Sequence, residues 1–279
     1  LLEITNELPD IRLTISVDEN YKTTIETEIG KYDLMGKPPE EFPAVPNQEH
    51  TKTIKIKGVV LKEIIESTLF AVSQDELKPA LTGVLFRFSE KLFTAVSTDV
   101  HRLVKYERND FLTEKEEEII IPKKFLSFLS TQLSDNEIEL AIGENFIIAH
   151  LQKDIIITKI IDEKFPDYNS VIPKDNNKTF SIDKKVLLGA IRRVSIFSNK
   201  STHQVALSLK TNKSFVTTED PEKSSKAKEH IVGEFSGEEI IIGYNSEYLK
   251  DIVSHVSGET VEIKLNTPVS AALFEESPK

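Results

Sequence analysis

Hydrophobic residues recur along the chain with two different periods. In five segments they occupy every second position, which is typical of β-strands with one buried face. These segments are residues 11–17, 84–88, 138–142, 205–209 and 261–265. In four other segments they recur every three or four residues, which predicts helices with one apolar face. The predicted helices lie within residues 58–73, 122–133, 183–200 and 246–257, and a helix end is expected at residues 1–8.

Two of the predicted helices follow apolar triplets. Ile119-Ile120-Ile121 precedes Pro122, which can occupy the first turn of a helix because its missing N–H is not needed there. Ile240-Ile241-Ile242 comes shortly before Asn245 and Ser246, and either of these side chains could cap the fourth helix.

The chain also contains a long internal repeat. The nine residues from Thr53 resemble the nine residues from Thr179, and a linker containing Phe-Pro precedes each of them. Within each repeat a strand–helix–strand–strand pattern occurs twice. The sequence therefore predicts an α+β fold of tandem domains, each built from two such halves. The predicted boundaries are 1–46 (the second half of a domain), 47–172 (the first repeat) and 173–279 (the second repeat, ending one strand early).

The ends and the composition limit the class of protein. Leu1-Leu2-Glu3-Ile4 has no Met, basic segment or cleavage site, so we expect no signal peptide and a chain that begins partway through a domain. No apolar run approaches the roughly 18 residues of a membrane-spanning helix. The absence of cysteine excludes disulfides and thiolate chemistry and fits a cytoplasmic protein.

Motifs for catalysis or cofactor binding are not found. The sequence has no phosphate-binding loop, dinucleotide fingerprint, zinc-protease or nucleophile-elbow pattern. The six histidines are scattered without metal-ligand spacing, and Asp99 with His101 is the one short pair that suggests a metal or catalytic site. We therefore expect no cofactor, no metal and no catalytic residue.

Five motifs, in order, resemble the bacterial DNA polymerase III beta subunit, the replicative sliding clamp. Lys78–Phe86 and Ser97–Leu103 are similar to its Leu-x-Gly strand and its Thr-Asp-Gly-His-Arg-Leu segment. Phe165-Pro166-Asp167-Tyr168 is similar to its linker, Ile196–Asn199 to its Ile-Leu-Ser-Asn, and Gly243–Leu249 to its Gly-Phe-Asn-x-x-Tyr-Leu. The resemblance spans nearly the whole chain and lacks the family's closing Met-Pro-x-Arg-Leu strand.

One residue departs from the family pattern inside these motifs. Val100 stands where the family usually has glycine. Because a β-branched side chain disfavours positive φ, we do not expect that backbone conformation at this position.

The resemblance implies antiparallel sheets outside a ring and helices inside it, facing DNA. The net charge of the chain is −11, yet the four predicted helices carry −1, +2, +4 and −1 in chain order, so the negative balance lies outside them. A basic lining suits diffuse contacts to phosphates without sequence preference. The DNA-facing residues that the resemblance implies are Lys123, Lys124, Arg192, Arg193 and Lys200.

The resemblance implies two further sites. One is a groove between the two repeats that takes a short partner peptide on an apolar wall with a few polar groups. Its predicted residues are Leu81, Thr98, Val100, His101, Arg102, Leu103, Pro166, Val171, Asn245, Tyr248 and Val269. Alternatively, Leu81, Leu103, Val171 and Val269 are ordinary core residues. The other site is a head-to-tail dimer interface, implied at Tyr32, Leu34, Ile196 and Phe197.

The function implied is that of a non-catalytic processivity factor. Its expected partners are double-stranded DNA (bound without sequence preference), the DNA polymerase III alpha subunit, an ATP-driven clamp loader, clamp-binding repair proteins and a second copy of the chain, with no membrane contact. Two alternatives stay open. A β-rich scaffold or surface-binding protein would explain the repeats and the acidity but not the basic helices. A metal-dependent hydrolase would use Asp99 and His101 and would lose activity on His101→Ala.

Overall fold

A computed structural model describes residues 1–42, 44, 46–48, 51–110 and 116–276. The chain divides into two compact units, Leu1–Asn47 and Gln48–Lys279. The first predicted Phe-Pro linker contains Pro43 and Val45, which lie outside the described residues.

The first unit is a short helix and a three-stranded antiparallel sheet. Its elements in chain order are α1 (Leu2–Glu7), β1 (Leu13–Val17), β2 (Lys22–Thr27) and β3 (Lys31–Met35). The central strand β2 places the fully buried Ile25 opposite Ile15 and Tyr32, so the apolar side chains share one face of the sheet. The predicted helix end and the predicted strand at residues 11–17 are both present.

The second unit contains both predicted repeats. The first repeat comprises β4 (Lys52–Lys57), α2 (Gly58–Thr68), β5 (Gly83–Phe88), β6 (Phe93–Thr98), β7 (Leu103–Arg108), β8 (Glu117–Pro122), α3 (Lys123–Gln132), β9 (Glu137–Ile142), β10 (Phe146–His150) and β11 (Ile155–Lys159). The second repeat comprises β12 (Lys178–Asp183), α4 (Lys184–Ser195), β13 (Gln204–Leu209), β14 (Ser214–Asp220), β15 (Ser225–Ile231), β16 (Glu234–Ser236), β17 (Ile240–Asn245), α5 (Ser246–His255), β18 (Thr260–Leu265) and β19 (Leu273–Glu276).

The two halves of each repeat exchange their first strands. In the first repeat the sheet orders are β11-β10-β9-β4 and β7-β6-β5-β8, so β4 pairs with the second half and β8 with the first. The second repeat follows the same rule, because β12 pairs with β18 and β17 with β13. Every pairing is antiparallel. The exchange joins the halves into one body with a shared core.

The predicted count of two strands after each helix is corrected in three of the four halves, and the first half of the second repeat has β16 as a fourth strand as well. A third strand follows the two predicted ones in three of the halves, namely β7, β11 and β15. All three are edge strands, and β15 reads Ser-Lys-Ala-Lys-Glu-His-Ile. A strand at an edge buries less of its surface, so it lacks the apolar alternation on which the prediction depended.

One apolar face of each long helix packs into the core of its repeat. On α2 this face consists of Leu61, Ile64 and Ile65, all at most 1% exposed. In the first repeat it meets the rings of Phe86 and Phe93, whose centroids lie 5.2 Å apart. Burying one such side chain contributes about 1.5–3 kcal/mol, so this shared core is the main source of stability.

The helix starts differ slightly from the predictions. Pro122 is the residue before α3 rather than part of its first turn. Asn245, not Ser246, caps α5, because its side-chain oxygen accepts a hydrogen bond from the Glu247 N–H at 2.8 Å. Among the described residues, none of the helices is long and apolar enough to cross a membrane.

Candidate partner-binding groove

The turn between β6 and β7 is fixed by its own hydrogen bonds. The hydroxyl of Thr98 accepts from the Val100 N–H at 3.1 Å and donates to the Arg102 carbonyl at 2.7 Å. One carboxylate oxygen of Asp99 accepts from the N–H groups of His101 and Arg102, both at 3.0 Å. Side chains of this type replace a backbone ladder in tight turns, and here they determine the path of the chain.

Val100 adopts a positive φ of 80° within this turn. The prediction that its backbone would avoid this region is therefore wrong. The hydrogen bonds on both sides of Val100 determine its backbone conformation, and a β-branched side chain must accept the resulting strain. The side chain is 62% exposed, so it is presented to solvent at the surface of the turn.

Arg102 joins the two repeats. Its Nε donates to Asp99 at 3.1 Å and its Nη2 to the carbonyl of Phe70 at 2.8 Å, both in the first repeat. Its Nη1 donates to the carboxylate of Asp251 on α5 of the second repeat at 2.7 Å. The guanidinium also lies 4.7 Å from the ring centre of Tyr248. The Arg102 side chain is only 11% exposed. Its guanidinium therefore links the two repeats and leaves little surface with which to bind a ligand.

Two pairs of stacked rings cross the same boundary. His101 stacks on Tyr248 with centroids 5.7 Å apart, and Phe70 stacks on His255 at 3.9 Å. His101 is itself exposed. The turn after β6 and the helix α5 therefore form one continuous polar and aromatic surface.

An apolar cluster lies beside this surface, where the second Phe-Pro linker passes. Leu81 packs in it with Phe165 and Tyr168, and Leu103 lies half-buried against it. The linker ends in a short turn that Asp167 closes by accepting from the Asn169 N–H. Leu81 is thus a core residue of this cluster, and Leu103 packs against it.

The exposed apolar side chains near the linker differ from those core residues. Pro166, next to Phe165, is exposed, and Val171, directly after the Tyr168 turn, is 61% exposed. Side chains of this kind are available to a ligand, whereas Leu81 and Leu103 contribute through the shape of the wall behind them.

The predicted groove residues fall into two connected groups and one separate residue. The first group contains Thr98, Val100, His101, Arg102 and Tyr248 at the Arg102 bridge, together with Asn245, which caps the helix α5 that carries Tyr248. The second lies on or beside the apolar cluster and contains Leu81, Leu103, Pro166 and Val171. Val269 is 95% exposed in a turn closed by Thr267 and Ser270, and its place in the groove stays a prediction.

Sequence reasoning missed Phe70, Asp251 and His255 at this boundary. Asp251 follows Tyr248 by three residues on α5, which places both on one helix face, and this spacing was the available signal. Phe70 has no such signal, because it contributes its backbone carbonyl and its ring from a short turn after α2.

The predicted DNA-facing residues have unequal surroundings. Lys123 and Lys124 open α3, and Arg192 is exposed on α4. Arg193 is paired with Glu229 on β15 through two hydrogen bonds of 3.1 and 2.5 Å. This pairing lowers the pKa of the Glu229 carboxyl, and a phosphate would have to compete with it for Arg193.

The predicted dimer residues all lie at edge strands or next to them. Tyr32 and Leu34 are half-buried on β3, an edge strand of the first unit. Ile196 and Phe197 follow α4 and are 67% and 45% exposed. The Ser225 hydroxyl at the start of the edge strand β15 donates to the Phe197 carbonyl at 3.0 Å. Exposed strand edges flanked by apolar side chains are suited to pairing with another chain.

The hydrolase alternative lacks support at its proposed residues. The carboxylate of Asp99 is bonded to the backbone N–H groups of His101 and Arg102 and to the Arg102 guanidinium rather than to the His101 ring. Within the part of the chain that the structure describes, no group of three or more His, Cys, Asp or Glu side chains could hold a metal ion.

Comparison with known proteins gives one consistent family. Residues 55–167 match the central domain of the DNA polymerase III beta subunit, and residues 169–279 match its C-terminal domain. The beta sliding clamp of Pseudomonas putida is 30% identical over 281 residues, which cover 99% of this chain and 76% of that protein. The beta sliding clamp of Bacillus subtilis is 28% identical over 266 residues, which cover 94% and 70%.

Solved structures give the same result. The DNA polymerase III subunit beta of Pseudomonas aeruginosa superimposes with a TM-score of 0.87 at 27% identity, covering 100% of this chain and 77% of that one. The sliding clamp of Bacillus subtilis gives a TM-score of 0.85 at 28% identity, covering 98% and 73%. The predicted fold class of tandem α+β domains is confirmed. The chain therefore belongs to the DNA polymerase III beta-subunit family, and its function is that of a DNA sliding clamp, a processivity factor in replication.

Proposed function

We propose that this chain, as a cytoplasmic homodimer, encircles duplex DNA and tethers the DNA polymerase III alpha subunit to it. The tether is a groove between the two repeats. We propose 47–172 and 173–279 as the limits of these two domains, and 1–46 as the second half of a further domain. The clamp loader and repair proteins would use the same groove. The chain itself would carry out no catalysis.

The observation that carries the proposal is the boundary around Arg102. Bonds and stacked rings from both repeats meet there, while Val100 in the turn and Val171 after the linker leave apolar side chains exposed. A rigid frame with a few exposed apolar positions is the arrangement that captures a short peptide at low entropic cost.

The groove is tested with a labelled clamp-binding pentapeptide of the Gln-x-x-Leu-Phe type, measured by fluorescence anisotropy. Val171→Asp should abolish micromolar binding, because a carboxylate would replace an exposed apolar contact. Val232→Asp is the matched control, since Val232 is 74% exposed on the loop after β15. Equal binding by the two variants would contradict the groove assignment.

The DNA-facing role is proposed for Lys123, Lys124, Arg192 and Lys200, and for Arg193 in competition with Glu229. Contacts of this kind are electrostatic and weaken with salt. The double variant Lys123→Glu/Lys124→Glu should reduce the affinity for a labelled duplex at low salt. The control Lys91→Glu/Lys153→Glu makes the same charge change on exposed turns and should leave the affinity higher than that of the first variant.

The homodimer is proposed to form by head-to-tail pairing of the β3 edge of one copy with the β15 edge of another, which removes both open edges. Ile196→Asp should shift the chain toward monomer in sedimentation velocity. Ile241→Asp is the matched control, because Ile241 has similar exposure, 62% against 67%, on β17. A dimer unaffected by Ile196→Asp would contradict this interface.

A further inference from the structure

The contacts across the boundary between the two repeats converge on the turn after β6. The guanidinium of Arg102 has acceptors in three directions, namely Asp99, the Phe70 carbonyl and Asp251. The planar guanidinium fork fixes its orientation when its nitrogens are bonded on several sides. Asp251 is the acceptor that belongs to the second repeat.

Asp251 differs from an ordinary surface carboxylate because its ion-pair partner, Arg102, is largely buried. Its own side chain is 48% exposed, but that of its partner Arg102 is 11% exposed, so loss of Asp251 would leave a largely buried cation with one fewer partner. The backbone carbonyl of Asp251 is also bonded to the ring of His255 at 2.7 Å, and that ring stacks on Phe70. The last turns of α5 therefore contact the first repeat at two points, through the Asp251 carboxylate and through the His255 ring.

The groove surface depends on the same helix. Tyr248 lies on α5 three residues before Asp251, and its ring contacts both the guanidinium of Arg102 and the ring of His101. A shift of α5 relative to the turn would therefore separate the two groove residues His101 and Tyr248.

We propose that Asp251 is a positioning residue of the groove. It does not touch the partner peptide. By holding Arg102 across the boundary, it keeps α5 against the turn after β6 and so keeps His101 and Tyr248 in the arrangement that receives the peptide. This inference rests on the peptide-binding function proposed above.

The first test is a double-mutant cycle in the full chain with the pentapeptide as probe. Asp251→Ala and Arg102→Met should each weaken binding on the order of five- to ten-fold, which lies within the coupling of roughly two- to 150-fold found inside one hydrogen-bond network. The double variant should bind no more weakly than Arg102→Met alone. Asp251→Asn should restore part of the affinity, because its amide oxygen can still accept from Nη1. Additive losses, or unchanged binding by Asp251→Ala, would overturn the proposal.

The control for this cycle is Glu239→Ala. Glu239 is an exposed carboxylate of the second repeat whose ion pair with Lys210, at 2.5 Å, stays within that repeat. Its loss should leave the peptide affinity unchanged. The thermal unfolding midpoint of each variant shows whether weaker peptide binding comes from a loss of folding or from a displaced α5.

A second measurement does not depend on the peptide. The chain has no cysteine, so Lys153→Cys and Lys223→Cys provide one spin-label site in each repeat. Pulsed electron paramagnetic resonance measures the distance between the two labels. The distribution of this distance should be narrow in the labelled protein without further substitution and broader in both Asp251→Ala and Arg102→Met. If the parent binds no peptide, the proposed function fails, and this distribution still decides the positioning role. An unchanged distribution in Asp251→Ala would overturn it.

Discussion

Replacing Val100 tests whether the turn after β6 stores backbone strain. Its φ of 80° lies in the left-handed region, which costs an L-residue with a Cβ about 1–2 kcal/mol. Glycine does not incur this cost, but it loses about 0.5–1 kcal/mol relative to alanine because its unfolded chain is more flexible. The difference between Val100→Gly and Val100→Ala isolates the backbone, since neither variant keeps the valine methyl groups. We expect Val100→Gly to be the more stable of the two by about 0.5–1 kcal/mol.

A control at ordinary φ should give the opposite sign. Val232 is similarly exposed and is not among the described residues with positive φ. There Val232→Gly should be less stable than Val232→Ala by about 0.5–1 kcal/mol.

The assay is urea unfolding followed by circular dichroism, with midpoints compared at equal slopes. Val100→Gly unfolding at lower urea than Val100→Ala would refute the reasoning. In that case the turn would relax to a negative φ in solution.

Three further predictions concern stability. Tyr244 has a buried hydroxyl without a hydrogen-bond partner in the described part of the chain, so Tyr244→Phe should stabilise by about 1 kcal/mol in urea unfolding. Burial also raises the pKa of Tyr244, so stability should fall above about pH 10, where the unfolded tyrosine ionises first, and this fall should be smaller in the phenylalanine variant. Asp183 caps α4 by accepting from the Val186 N–H at 2.9 Å, so Asp183→Ala should cost about 1 kcal/mol, and an unchanged midpoint would argue against the cap. The pairing with Arg193 lowers the pKa of Glu229. The contribution of this pair to the free energy of unfolding is therefore present above about pH 4.3 and is lost as pH falls through the lower pKa of the folded state. Glu229→Gln should lose less thermal stability over that acid range than the unsubstituted protein.

The sequence predicted the features that depend on buried periodicity. The four helices buried the faces that their spacing indicated, and the duplicated halves appeared in order. The edge strands were missed because a half-solvated strand such as β15 needs few apolar residues.

The resemblance predicted a groove at this boundary, but not the hydrogen bonds that form it. Resemblance placed Arg102 there, but no local pattern reveals that its partner Asp251 comes from the other repeat. The conformation of Val100 was predicted wrongly because side-chain hydrogen bonds outweighed its own backbone preference.

The claim that this chain encircles DNA is tested most directly by its retention on circles. A bacterial clamp loader with ATP would place the protein on a nicked circular plasmid, and gel filtration at roughly 0.5 M salt would remove molecules held by charge alone. Encirclement predicts that the protein stays with the circle and is released when a restriction enzyme makes the DNA linear. Equal retention on circular and linear DNA would contradict the account, because it would mean that the protein binds the DNA surface and does not surround it.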